Sequence, residues 1–308
     1  MPIGMKKKGI AFLLILGLLV GCTSLGGGQQ STTTPLPAPT ADLHGQLVFA
    51  AKTTEKEDYE LFMLDVRSGA IQQLTDNDFE DISPEFSPDG TEIVYSANPN
   101  GVYDLYLLNI TTLKITLLLK NGTDNTEPAW SPDGKFIAYQ SNGYGDNDIY
   151  ILSLPDQTVQ RLTEEDSQDT QPSWQQDGKG LAFVSDRNGD FEVYALEISS
   201  KNVTQLTNNE YYDASPVYSP DGGRIAFLSK RKGSFNIYMM NADGSKETTL
   251  VEDANTNHSP AWSDDGNELA FISDSEGHSG IYLVSIASGE IYSVLDGYFH
   301  YAGLTWKD

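Results

Sequence analysis

Pro128-Ala-Trp-Ser-Pro-Asp-Gly134 is followed by Phe136-Ile-Ala-Tyr139, then by Asp148-Ile-Tyr-Ile-Leu152 and Val159-Gln-Arg-Leu162. Ser131-Pro132-Asp133-Gly134 is turn chemistry: Pro pre-sets the second position, Asp bonds locally and Gly accepts positive φ. The apolar and aromatic run after it has the composition of a strand. Asn142-Gly143 opens a loop, and the two runs beyond it read as a third and a fourth strand. No helical period intervenes, so the unit is one small antiparallel sheet.

The same unit returns every 44 residues. Pro84, Pro128, Pro172, Pro216 and Pro260 keep that step, as do Phe86, Trp130, Trp174, Tyr218, Trp262 and Trp306. An Asp-Gly pair recurs at Gly90, Gly134, Gly178, Gly222 and Gly266. Two more aromatic columns run Tyr95, Tyr139, Phe183, Phe227, Phe271 and Phe62, Tyr106, Tyr150, Tyr194, Tyr238, Tyr282. Four short strands per repeat, apolar on both faces in the middle, predict an all-β propeller whose blades pack between neighbours. The ends set the count. Gln46 to Thr75 lacks a first strand, and Leu304-Thr-Trp-Lys-Asp308 is that strand and nothing more. Five whole repeats and one split repeat predict six blades, the C-terminal strand closing the ring and removing its open edges.

The motif Pro-x-Trp-Ser-Pro-Asp-Gly, then Ile-Ala-Tyr, Asp-Ile-Tyr and Leu-Thr, resembles the TolB-type, WD40-like (PD40) propeller repeat from Gln46 to Asp308. Gln175-Gln176 and Asp264 depart from the pattern at turn positions that tolerate them. The resemblance implies a non-enzymatic scaffold at a bacterial envelope. Its partner would be another envelope protein or a peptide docking at the channel mouth.

Before the repeats, Lys6-Lys-Lys8 precede an apolar run from Ile10 to Val20, shorter than the roughly 20 residues a membrane-spanning helix needs. Leu19-Val20-Gly21-Cys22 resembles a lipoprotein lipobox, which implies cleavage before Cys22 and lipidation there. Cys22 is the only cysteine, so an intrachain disulfide and a Cys-based zinc site are excluded. The expected domains are residues 1–21 as signal peptide, 22–43 as lipidated cysteine and tether, and 44–308 as propeller. The Gly, Ser, Thr, Pro and Gln of the tether give a reach of about 25 Å. The expected location is a membrane-anchored lipoprotein facing the periplasm or the cell exterior, monomeric and touching membrane through the lipid only.

The full chain of 308 residues carries a net charge of −25, and −28 without residues 1–21. That balance argues against nucleic acid, whose phosphates need Lys and Arg. No Gly-x-Ser-x-Gly elbow is present, and His44, His258, His278 and His300 show no metal-ligand spacing. Neither cofactor nor metal is expected. Asp186-Arg-Asn-Gly-Asp190 reads as Asn-Gly turn chemistry.

Strand order puts the six between-blade connections (76–83, 121–127, 164–171, 208–215, 252–259 and 296–303) on one face. They hold fifteen carboxylates and no Lys or Arg. Tyr211, Tyr212, Tyr298 and His258 interleave with them. Three residues before each proline stand Asp81, Asn125, Asp169, Asp213 and Asn257, with Tyr301 in the sixth place. This column is expected to ring the channel mouth; local bonding to backbone is the structural alternative. The face is read as the binding surface for a cationic protein or peptide. A saccharide or small polar ligand stacking on the tyrosines, and a carboxylate-based glycan hydrolase or lyase, are the other readings.

Overall fold

The computed structural model describes residues 44–53, 56–253, 255–275, 278–297 and 300–308. Twenty-four strands, β1–β24 in chain order, form six four-stranded antiparallel sheets. Five sheets are consecutive in sequence. Their innermost strands are β4 (Asp81–Phe86), β8 (Asn125–Trp130), β12 (Asp169–Trp174), β16 (Asp213–Tyr218) and β20 (Thr256–Trp262). The remaining sheet joins β24 (His300–Lys307) to β1 (Gln46–Lys52), β2 (Glu60–Asp65) and β3 (Ile71–Gln73). The six-blade count and the split blade are therefore as the repeat predicts. Cys22 and the rest of 1–43 lie outside the described residues, as does Tyr298.

No single core holds the ring. Buried apolar side chains fall into six clusters, one at each blade-to-blade interface. The two aromatic columns meet in five blades, as Tyr95 does with Tyr106 across two strands; in the split blade Phe49, outside the column, meets Phe62, and the six pairs have ring centroids 5.5–5.9 Å apart. Offset aromatic pairs at this distance add about 0.5–1.5 kcal/mol beyond their burial. The Asp-Gly turns persist where the motif departs: Lys179 N–H donates to Asp177 Oδ1 and Asn267 N–H to Asp265 Oδ1, both at 2.9 Å.

Each innermost strand is kinked at one place. Ser83, Glu127, Gln171, Ser215, Ser259 and Gly303 have φ between 47° and 65°, and the ladder to the next strand slips there. In five blades the next residue is proline, which has no N–H to give the ladder and so belongs at a bulge. The bulge turns the side chain before the proline toward the ring axis.

Candidate functional site

The innermost strands enclose an axial channel of about 980 Å³. Tyr59, Glu80, Tyr103 and His258 line it on the side of the blade connections, and Pro88, Pro132, Pro220 and Asp264 on the other. Between them, hydrogen bonds run sideways from blade to blade. Ser83 Oγ donates to Glu127 Oε1 (2.9 Å), and Ser215 N–H donates to Gln171 Oε1 (2.8 Å). One layer further, the N–H groups of Trp130, Tyr218 and Phe86 donate to Glu85 Oε2 (3.2 Å), Ser173 Oγ (3.2 Å) and Thr305 Oγ1 (3.4 Å). These bonds stitch the channel wall.

The Asp/Asn column is placed differently from the expectation that it rings the mouth. Asp81, Asn125, Asp169, Asp213 and Asn257 are each 0% exposed. Their N–H groups donate to the carbonyls of Tyr59, Tyr103, Asn147, Phe191 and Phe235 in the preceding blade, at 2.7–2.9 Å. Four side chains bond a partner four residues earlier: Asp81 to Asn77 (2.7 Å), Asn125 to Asn121 (2.9 Å), Asp213 to Asn209 (2.8 Å) and Asn257 to Asp253 (3.3 Å). Asp169 instead accepts from Arg187 at both oxygens, 3.0 Å each, and from Ser167 Oγ at 3.1 Å. Burial raises the Asp81 carboxyl to about 7 and lifts Asp213 as well. The column clamps each connection to the blade before it. The geometry corrects the mouth-lining expectation and supports the structural alternative.

The remaining candidates divide. Tyr301 is also buried, edge-on to Phe49 with centroids 5.4 Å apart, because β24 carries it inward against β1. His258 lines the channel, with Nε2 3.1 Å from Asp274 Oδ2 and Nδ1 3.2 Å from Ser259 Oγ. Tyr211 and Tyr212 are exposed at 43% and 41%. Tyr212 sits against Phe191 (4.7 Å) and Phe235 (5.3 Å), a rim of three rings.

The acidity of this face is partly neutralised by loops the connection count leaves out. Lys56 pairs with Asp76 (2.5 Å), Lys52 with Glu80 (3.1 Å), Arg187 with Asp169, and Lys232 with Glu252. Lys201 reaches Glu164 (3.0 Å) from the last turn of the neighbouring blade. Among the described residues of the connections, Asp78, Glu165, Asp166, Glu210, Asp253 and Asp296 are exposed and without an ion pair. They share the face with Tyr211, Tyr212 and Tyr144, which is 76% exposed beneath the Arg161 guanidinium.

A family model described as TolB beta propeller domain matches residues 36–216 and 205–303. The chain belongs to the TolB beta propeller domain family. Among solved structures it is similar to TolB from Acinetobacter baumannii, with a TM-score of 0.78 and 21% identity over 87% of this chain and 68% of that one. A putative TolB from Agrobacterium tumefaciens gives 0.69 and 22% over 83% and 91%. Oligogalacturonate lyase from Vibrio parahaemolyticus gives 0.55 and 16% over 83% and 75%. At these identities the likeness is one of fold. Among curated proteins none matches the chain.

Three channel features of this TolB-type propeller are missing from a reading by repeats. Tyr59 and Tyr103 stand 44 residues apart, a spacing that is visible in the sequence. Glu85 and Glu127 occupy columns of mixed composition, Glu-Ala-Ser-Val-Ala-Thr and Ser-Glu-Gln-Ser-Ser-Gly, which carry no consensus. Burial raises the Glu85 carboxyl to about 8 against its bond from Trp130, with Glu127 adding to the rise. Burial also raises Glu127.

Proposed function

We propose that this TolB-type propeller is a lipid-anchored, extracytoplasmic scaffold that binds an envelope protein or peptide on the face where the blade connections surround the channel mouth. The observation that carries the reading is the group of unneutralised acids, Asp78, Glu165, Asp166 and Glu210 among them, beside exposed tyrosines on short loops of the ring. Such a rim steers a cationic partner, and aromatic side chains anchor it. The protein holds its position through lipid at Cys22 and performs no covalent chemistry of its own.

The test is capture from an envelope extract on the immobilised protein, compared with the Glu165→Lys, Asp166→Lys, Glu210→Lys variant. Asp169 is left intact, since its reversal would bury a cation against Arg187. The expected result is a partner eluted by salt and retained poorly by the variant. Equal capture by both proteins overturns the reading. The ring of Tyr212 with Phe191 and Phe235, together with Tyr144, favours a second reading, a saccharide stacking on the rim. That reading is marked by binding that ignores salt and is lost in Tyr212→Ala.

A further inference from the structure

Four acidic side chains line the axial channel, and two of them lack a counter-charge. Glu80 is paired with Lys52, and Asp264 with Lys307 at the far mouth. Glu85 and Glu127 face the channel from neighbouring blades with no ion pair among the described residues. The repeat supplies an internal control for what the architecture needs there. Ser173 and Thr305 accept the same backbone N–H in their blades that Glu85 accepts in its own. Gln171 serves the stitching layer of Glu127 as a neutral acceptor. The wall can therefore be built without either charge, and two carboxylates in a confined channel cost desolvation that a hydroxyl or amide does not.

A second observation lies on the same wall. Trp174 Nε1 donates to the Ala129 carbonyl (2.9 Å) and Trp262 Nε1 to the Val217 carbonyl (3.1 Å). Trp130, their counterpart beside Glu85, lines the channel with 7% of its surface exposed, and its indole N–H, itself buried, has no acceptor among the described residues. The wall thus presents two acidic groups without a counter-charge, beside one buried and unused donor.

We propose that the channel wall at Glu85 and Glu127, beside Trp130, is a binding site for an ammonium group, as in a lysine side chain or the free amino terminus of a peptide. This rests on the reading above and deepens it: the rim attracts the partner, and the channel takes one cationic group from it. The ammonium donates to the free oxygens of Glu85 and Glu127; Glu85, protonated at neutral pH in the free protein, releases its proton to solvent as the ammonium binds, and the Trp130 indole beside them reports the occupancy. Charge-assisted bonds of this kind are about twice as strong as neutral ones. Apart from that proton, no bond is made or broken.

The full chain has four tryptophans, hence four indole N–H signals in a ¹⁵N-labelled sample. Trp130→Phe assigns the relevant one. Three probes are titrated: Nα-acetyl-lysine amide, alanine amide and acetyl-alanine amide. The expected result is a saturable shift of the Trp130 signal with an ammonium probe and none with the neutral one. The first probe responding means a side-chain source, and the second a terminal one. Glu85→Ser with Glu127→Gln copies solutions the other blades already use, and it should weaken binding about tenfold or more, the scale of one charge-assisted hydrogen bond. The single variant Glu127→Gln, with an intermediate effect, keeps the test open should the pair fold poorly. A shift with all three probes, no shift with any, or unchanged affinity in the variants overturns the site. The two readings fail separately. Capture lost on rim reversal yet unchanged by the channel variants leaves the rim reading and removes this one. Amine binding at Trp130 with capture indifferent to the rim does the reverse.

Discussion

Asp81 shows what a single column position can hide. Its spacing before Pro84 is readable, but its burial depends on a carbonyl of the preceding blade, that of Tyr59, which periodicity alone does not bring near. Aspartate at a strand entry therefore looks the same in sequence whether it faces solvent or clamps a loop. Glu85 has the opposite history. It stands out only once its column is seen to line a channel, because reading by consensus finds where repeats agree, and this residue lies where they disagree. Its protonation gives a prediction. Its folded-state pKa of about 8 lies above the ordinary 4.5, so the native state holds a proton that the unfolded chain releases. Stability should fall as pH rises from about 4.5 through about 8, and this contribution is flat outside that window. Glu85→Gln keeps an acceptor for the Trp130 N–H and has no charge to bury. Its melting temperature should match the parent at pH 4.5 and exceed it at pH 8.5, by about 2–4 °C for each kcal/mol recovered. Equal melting curves at both pH values would place the carboxyl in open solvent.

Among the elements, the strands and turns were the most legible part of the chain. Periodicity placed the segment at Phe136–Tyr139 within β9, which spans Phe136–Ser141, and the Asp-Gly turns with their positive φ followed from residue type alone. The bulge was not legible. Pro84 signals an interrupted ladder, but the left-handed residue before it is Ser, Glu or Gln in five blades, types that do not announce that conformation. In the sixth blade it is Gly303, where a Cβ would lie 2.9 Å from Pro84 Cδ. Gly303→Ala should therefore destabilise the domain by loosening β24 from β4, whereas β24 itself is held by pairing with β1 from Gln46–Lys307 to Phe49–Leu304. Deleting Leu304 to Asp308 removes those pairs and Trp306, only 6% exposed. Loss of a buried Trp alone costs about 3–5 kcal/mol. Calorimetry of the deletion should show a melting temperature far below that of the full chain; the same temperature for both would contradict ring closure through β24.

For the molecule as a whole, charge and address matter more than any contact. A net charge of −25 makes encounter with a cationic partner fast at low salt and slower as ionic strength rises. The rim variant should slow association and flatten that salt dependence, with dissociation changing less, when followed by surface plasmon resonance. Asp133→Asn and Asp177→Asn, in turns on the far side, should leave both rates nearly as they were. Cys22→Ser should release the protein from the membrane fraction or leave its precursor uncleaved, which fractionation and immunoblotting would reveal. The ring has one further property, set by its seam. Blade 1 takes strands from both ends of the ring, so β1 keeps a bare backbone edge until β24 arrives. During translation β1 leaves the ribosome first and β24 last. Every partly made ring therefore offers that edge to proteases and to strands of other chains. Only a polypeptide extended through Lys307 covers that edge with a strand of its own.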